Sequence, residues 1–200
     1  NNAGVSLLQP AGGDDYDSAW ETTLAVNLAL SFAAAGERTV IIDADLRKPR
    51  LHEVFDLKHR VNGNGVSSFL GGITGRLKIY NGHTQKLSVI PSGPVPPNPA
   101  ELLASRRFRL LLGNLAEQYD RVILDGPPHI GFADTLILSK IVGGIVLVSS
   151  IGETSREAII QFKQSIANIN GTILGCIANK VDFNRKYGYG GYYKSYQSYF

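Results

Sequence analysis

Three aspartates stand where short apolar runs end. Val40-Ile41-Ile42 leads into Asp43-Ala44-Asp45, and Val122-Ile123-Leu124 leads into Asp125. In an open parallel sheet, ligands sit beyond the carboxyl ends of the strands. Carboxylates converging there suit magnesium, which takes one or two of them and completes its shell with substrate phosphates and water. The two runs read Asp-x-Asp-x-Arg and Asp-Gly-Pro-Pro, a more specific signal than one strand ending in an acid. The competing reading is that these acids cap the turns that follow them. Arg47, Lys48 and Arg50 lie close by and would pair with carboxylates or contact a phosphate.

The elements that must position these acids alternate between short apolar runs and helical patterns. That alternation predicts repeated βα units and an α/β fold with a mostly parallel central sheet flanked by helices. Strands are expected at 5–8, 39–42, 87–90, 122–124, 144–149 and 172–178. Helices are expected at 22–35, stopped by Gly36, then near 51–55 and 67–70, and at 100–119, 135–142 and 155–169. Thr154 or Ser155 would cap the last of these. The 200 residues suit one domain over 1–182, with a tail over 183–200 that is rich in Gly, Lys, Ser and Tyr. The pattern predicts that the tail is mobile.

Composition excludes other classes. No apolar run reaches the ~20 residues of a membrane span. Net charge is +3, yet residues 1–46 hold seven acids and one base. The remaining bases are scattered, so no nucleic-acid partner is expected. The four histidines lack metal-ligand spacing. The single cysteine, Cys176, lies in an apolar stretch and is expected in the core.

Here the chain resembles the bacterial tyrosine kinases. Val40 to Pro49 is similar to their second Walker motif, and Val122 to Pro128 to their Walker B motif. The segment Pro91 to Leu103 and the cluster Tyr187-Gly188-Tyr189-Gly190-Gly191-Tyr192-Tyr193 also resemble that family. The second Walker motif alone would equally fit the related ParA and MinD ATPases. The resemblance implies a P-loop NTPase-like fold, ATP and Mg2+ as cofactors, and a place in capsule or exopolysaccharide synthesis and export. It implies a cytoplasmic domain at the inner face of the bacterial plasma membrane, a polysaccharide co-polymerase as membrane partner, and a homo-oligomer. Asp43 and Asp45 would be catalytic. Thr22, Asp45 and Asp125 would hold the metal. Gly12, Gly13, Thr22, Thr23 and Asn179 would touch the nucleotide. Tyr187, Tyr189, Tyr192, Tyr193, Tyr196 and Tyr199 would accept phosphate.

One motif departs from the family. A P-loop reads G-x-x-x-x-G-K-[ST]; its glycines admit phosphate to the backbone and its lysine meets the β and γ oxygens. Aligned on the helix at Thr22, this chain has Trp20 at the last glycine and Glu21 at the lysine, while Thr22 keeps the hydroxyl. Asp14, Asp15 and Asp17 add negative charge to the loop. The expectation is a kinase-like regulator with impaired ATP binding. The alternatives are an active, divergent ATP- and magnesium-dependent tyrosine autokinase, and a ParA-like ATPase switch.

Overall fold

The computed structural model describes residues 4–8, 19–57, 63–127 and 133–181, and for residues 4–8 and 19 the backbone only. Among the described residues, seven strands form one sheet: β1 (Gly4–Leu8), β2 (Thr39–Asp43), β3 (Tyr80–Asn81), β4 (Leu87–Ile90), β5 (Arg121–Asp125), β6 (Gly144–Ser150) and β7 (Ile173–Asn179). Their order across the sheet is β3-β4-β2-β5-β1-β6-β7. Every pairing is parallel except β3 with β4. The central strands are Val/Ile/Leu runs because helices cover both of their faces.

The chain steps one way from β1 to β2 and the other way from β5 to β6. The sheet therefore has its switch point where β1 lies beside β5, and a crevice opens at the carboxyl ends of strands at such a point. In the register of β2 with β5, Asp43 pairs with Asp125, so the two acids end adjacent strands side by side.

The helices are α1 (Ala19–Ala34), α2 (Leu51–Val54), α3 (Val66–Leu70), α4 (Pro99–Ala104), α5 (Arg106–Gln118), α6 (Ala133–Ile141) and α7 (Arg156–Asn168). Helix α1 packs Ala25, Val26, Ala29 and Ala33 against Ile41, Val89, Ile123 and Val148 on one face of the sheet. Its small side chains let the helix lie close to the strands. Gly36, at φ 90°, ends it, and Glu37 N–H donates back to the Phe32 carbonyl. The opposite face packs Val40, Ile42, Leu124, Ile145 and Leu147 against Phe108, Leu138 and Phe162. Among the described residues, no helix is long and apolar enough to cross a membrane.

Three sequence expectations are corrected. The helix expected at 100–119 is two helices, because Ser105 adopts an extended ψ of 151° and its hydroxyl accepts from Phe108 N–H to cap α5. Strand β3 was not foreseen; two residues carry no readable period. Cys176 is exposed rather than in the core. It lies on β7, the edge strand, which the described helices leave uncovered. The last helix is capped by Ser155, which accepts from Ala158 N–H, whereas Thr154 accepts from Ser150 N–H.

A tight crossing braces the rim of the sheet. A Cβ on Gly65 would lie 2.3 Å from the backbone nitrogen of Gly93. Backbone cannot swing aside as a side-chain tip can, so Gly65→Ala is expected to destabilise the domain by about 1–3 kcal/mol in urea unfolding. An unchanged midpoint would contradict this packing.

Candidate active site

Four acids gather at the switch point and all are buried: Glu21, Asp43, Asp45 and Asp125. Glu21 and Thr22 come from the first turn of α1, which enters directly above the ends of β1 and β5. The Thr22 hydroxyl donates to Asp125 Oδ2 at 2.8 Å. The neighbouring Thr23 is exposed.

Asp43 and Asp45 do cap the turns that follow them. Asp43 Oδ2 accepts from Arg50 N–H (3.1 Å) and Leu51 N–H (3.0 Å), at the start of α2. Asp45 Oδ1 accepts from Arg47 N–H and Lys48 N–H, each at 3.0 Å. Capping uses one oxygen of each acid. Asp43 Oδ1 is buried without a hydrogen-bond partner, and so is Glu21 Oε1. A buried acceptor left unpaired costs free energy, so each such atom calls for a proton, a water or a ligand.

The electrostatics follow from crowding. Burial, then the negative charges of Asp125 and Asp45, push the Glu21 carboxyl from 4.5 up to about 8. Burial and the charge of Asp125 hold Asp43 well above the usual range, although the N–H groups of Leu51 and Arg50 pull the other way. Asp125 is raised by burial, and its hydrogen bond from Thr22 opposes the shift. Asp45 is raised chiefly by burial, against the N–H groups of Lys48 and Arg47.

Arg47, whose charge also acts on Asp45, reaches a fifth acid. Its guanidinium makes a fork with Asp134 at the start of α6, Nε to Oδ2 at 2.7 Å and Nη2 to Oδ1 at 3.2 Å. Asp134 is buried, and the sequence reading missed it. Eighty-seven positions separate the partners, and no local pattern joins them. Asn179 ends β7 half-buried, and its carbonyl accepts from Ile151 N–H at 2.9 Å. Gly12, Gly13 and the six tail tyrosines lie outside the described residues.

The donor set is oxygen only, which suits a hard divalent cation. Among the described residues, no group of three or more His, Cys, Asp or Glu side chains could hold a metal by itself. Magnesium commonly takes only one or two protein carboxylates, so the pair Thr22 and Asp125 still fits its chemistry.

Thr22→Val keeps the shape of the side chain and removes the hydroxyl. Asp125 then loses its donor in a buried site, and about 1–3 kcal/mol of stability should go with it. Urea midpoints compared at pH 7 check this; a loss below 0.5 kcal/mol, on the order of ordinary surface substitutions, would contradict the bond.

Comparison with known proteins decides the family. An AAA domain family model matches residues 19–174. The tyrosine-protein kinase YwqD of Bacillus subtilis is 40% identical over 174 residues, covering 86% of this chain and 72% of its own length. The chain belongs to the bacterial tyrosine-protein kinase family. The putative tyrosine-protein kinase CapB of Staphylococcus aureus is 33% identical, with 86% of this chain and 75% of its own length covered. The chimerical protein CapA2B2 superposes with a TM-score of 0.80 at 33% identity, over 90% of this chain and 77% of that one. The kinase domain of Escherichia coli ETK gives 0.77 at 29% identity, over 94% and 73%. MinD of Pyrococcus horikoshii, solved with Mg-ADP, reaches 0.68 at 17% identity over 90% and 72%, a likeness of fold alone.

Proposed function

We propose that this member of the kinase family is a regulatory domain of capsule or exopolysaccharide synthesis and export whose ATP binding is impaired. One observation carries the reading. The residue aligned with the P-loop lysine is Glu21, and its carboxyl is buried beside Asp125 and Asp45 with Oε1 unpaired. A lysine there would meet the β and γ phosphate oxygens; a carboxyl repels them when ionised and only hydrogen-bonds one when protonated. The described residues therefore fit a cation better than a triphosphate, and no phosphoryl transfer is assigned to them.

Such a domain acts by what it binds. Its partner would be a polysaccharide co-polymerase of the membrane, met at the inner face of the plasma membrane, with further copies of the chain in a homo-oligomer. Asp43, Asp45, Asp125, Thr22 and Asn179 would be the remains of a nucleotide site, and the tail tyrosines its former or occasional acceptors.

A second reading has its own support. Thr22 and Asp125 are still joined at 2.8 Å, the pair that would organise magnesium in an active autokinase. Calorimetric titration of the whole chain with ATP and magnesium separates the two. The regulatory reading expects no saturable heat at micromolar nucleotide and no label on tyrosine from γ-labelled ATP. Micromolar binding with tyrosine labelling would replace it with the autokinase.

A further inference from the structure

Two buried carboxylate oxygens at the switch point lack a hydrogen-bond partner, Glu21 Oε1 and Asp43 Oδ1. Among the described residues no other buried carboxylate oxygen is in that position. Glu21 is 5% exposed and Asp43 0%, so bulk water does not serve either atom. Asp43 gives its other oxygen, Oδ2, to the N–H groups of Arg50 and Leu51 at the start of α2. The two oxygens of a carboxylate diverge, so Oδ1 is turned away from α2. Asp125 pairs with Asp43 in the register of β2 and β5. Its negative charge acts on both Asp43 and Glu21. Asp125 is thus the neighbour that the two unpaired carboxyls share.

Like charges in a poorly solvated site repel strongly. A proton on Glu21 relieves the repulsion, but an O–H formed at Oε1 is a donor that again finds no partner. A cation neutralises the crowd and pairs the oxygen at once. The Thr22 hydroxyl can join it. A hydroxyl has one donor and two acceptor lone pairs, and its proton goes to Asp125 Oδ2 at 2.8 Å, which leaves lone pairs for an ion. The first turn of α1 therefore offers two successive oxygen ligands, Glu21 and Thr22, and the end of β5 offers Asp125. A hard cation of the magnesium class needs only one or two carboxylates and keeps several waters. Two carboxylates suffice here, in keeping with the lack of a three-residue metal group among the described residues.

We propose that this protein binds a divalent cation of the magnesium class without nucleotide, with Glu21, Thr22 and Asp125 as its protein ligands and Asp43 Oδ1 accepting from one of its waters. The site rests on the regulatory reading, in which the position aligned with the P-loop lysine no longer meets phosphate. The ion stands in for the lysine ammonium and restores positive charge among the acids. A magnesium ion held with nucleotide draws on phosphate oxygens; this one draws on Glu21 instead. It ties the first turn of α1 to the end of β5, so occupancy stabilises the carboxyl rim of the sheet.

Manganese tests the site, because carboxylate and water ligands suit it as they suit magnesium and electron paramagnetic resonance reads its free ion. The whole chain is stripped with chelator, moved into metal-free buffer at neutral pH and titrated with Mn2+ in the absence of nucleotide. A single saturable site is expected, and Mg2+ should displace the manganese. Glu21→Gln keeps the shape of the side chain and should weaken binding at least about tenfold, the lower end of what even an outer-shell partner contributes. Glu157→Gln, on the exposed first turn of α7, should bind as the native chain does. Thermal unfolding gives a second readout: Mg2+ alone should raise the Tm of the native protein and not that of Glu21→Gln. No saturable Mn2+ binding by the native chain would overturn the proposal and leave the unpaired oxygens to water. Equal affinity in Glu21→Gln would also overturn it, because the ion would then belong to Thr22 and Asp125 alone. Neither result involves ATP. The regulatory reading fails instead on micromolar nucleotide binding with tyrosine labelling, so the two failures are read separately.

Discussion

Glu21→Lys is expected to raise the affinity for ATP and magnesium by about thirty- to a hundredfold, near 2–3 kcal/mol at 1.4 kcal/mol per factor of ten. Two unit charges about 4 Å apart interact by about 4 kcal/mol at an effective dielectric of 20. A lysine would convert repulsion of the phosphates into attraction of that order. Two effects shrink the gain. The native carboxyl, raised to about 8, is largely protonated at pH 7 and repels only in part. The new ammonium would also be drawn to Asp125 and Asp45 before nucleotide arrives. Glu21→Gln separates loss of repulsion from gain of attraction and should gain less than about fivefold. Titration calorimetry on the three proteins reads the result. If Glu21→Lys gains nothing, charge is not the obstacle, and the path of the chain before Trp20 becomes the explanation.

Stability should fall as pH rises from 5 to 8, by about 3 kcal/mol when divalent cations are chelated. The sign follows from the direction of the Glu21 shift, from 4.5 unfolded to about 8 folded. The folded chain holds a proton that the unfolded chain has released across that interval. The stability from the neutral carboxyl is complete below 4.5 and is lost as pH climbs toward 8. Each pH unit in the window is worth up to about 1.4 kcal/mol. Asp125 and Asp43, both raised, act in the same direction. Asp120 acts oppositely: its exposed fork with Arg38 holds it near 2, so its smaller contribution fades only in strong acid. Urea midpoints at pH 5, 6, 7 and 8 should therefore descend, and Glu21→Gln should make the slope shallower, leaving the part that Asp125 and Asp43 carry. A profile that rises with pH would mean that the carboxyl is ionised and paired in the folded chain.

Much of the frame was legible because it is local. Six strands and most helices follow from the period of apolar residues and from stops such as Gly36. What failed was also local in cause. Ser105 breaks a run that reads as one helix because a single ψ angle there is extended, and the polar period continues across it. Strand β3 is too short to show a period. The exposure of Cys176 depends on its lying at the sheet edge, and an apolar strand reads the same at the centre as at the edge.

By itself the sequence determined that Asp43, Asp45 and Asp125 stand where apolar runs end, and the family resemblance sets Glu21 at the lysine position, since both are read from order along the chain. Only the tertiary structure decided that Asp43 and Asp125 end adjacent strands, that Thr22 bonds to Asp125, that Arg47 reaches Asp134, and that β7 is the edge strand among the described residues. The physical reason is that strand order and burial are set by packing between residues far apart in the chain. Burial in turn decides whether a carboxyl such as Glu21 is an ordinary surface acid or one that keeps its proton near neutrality.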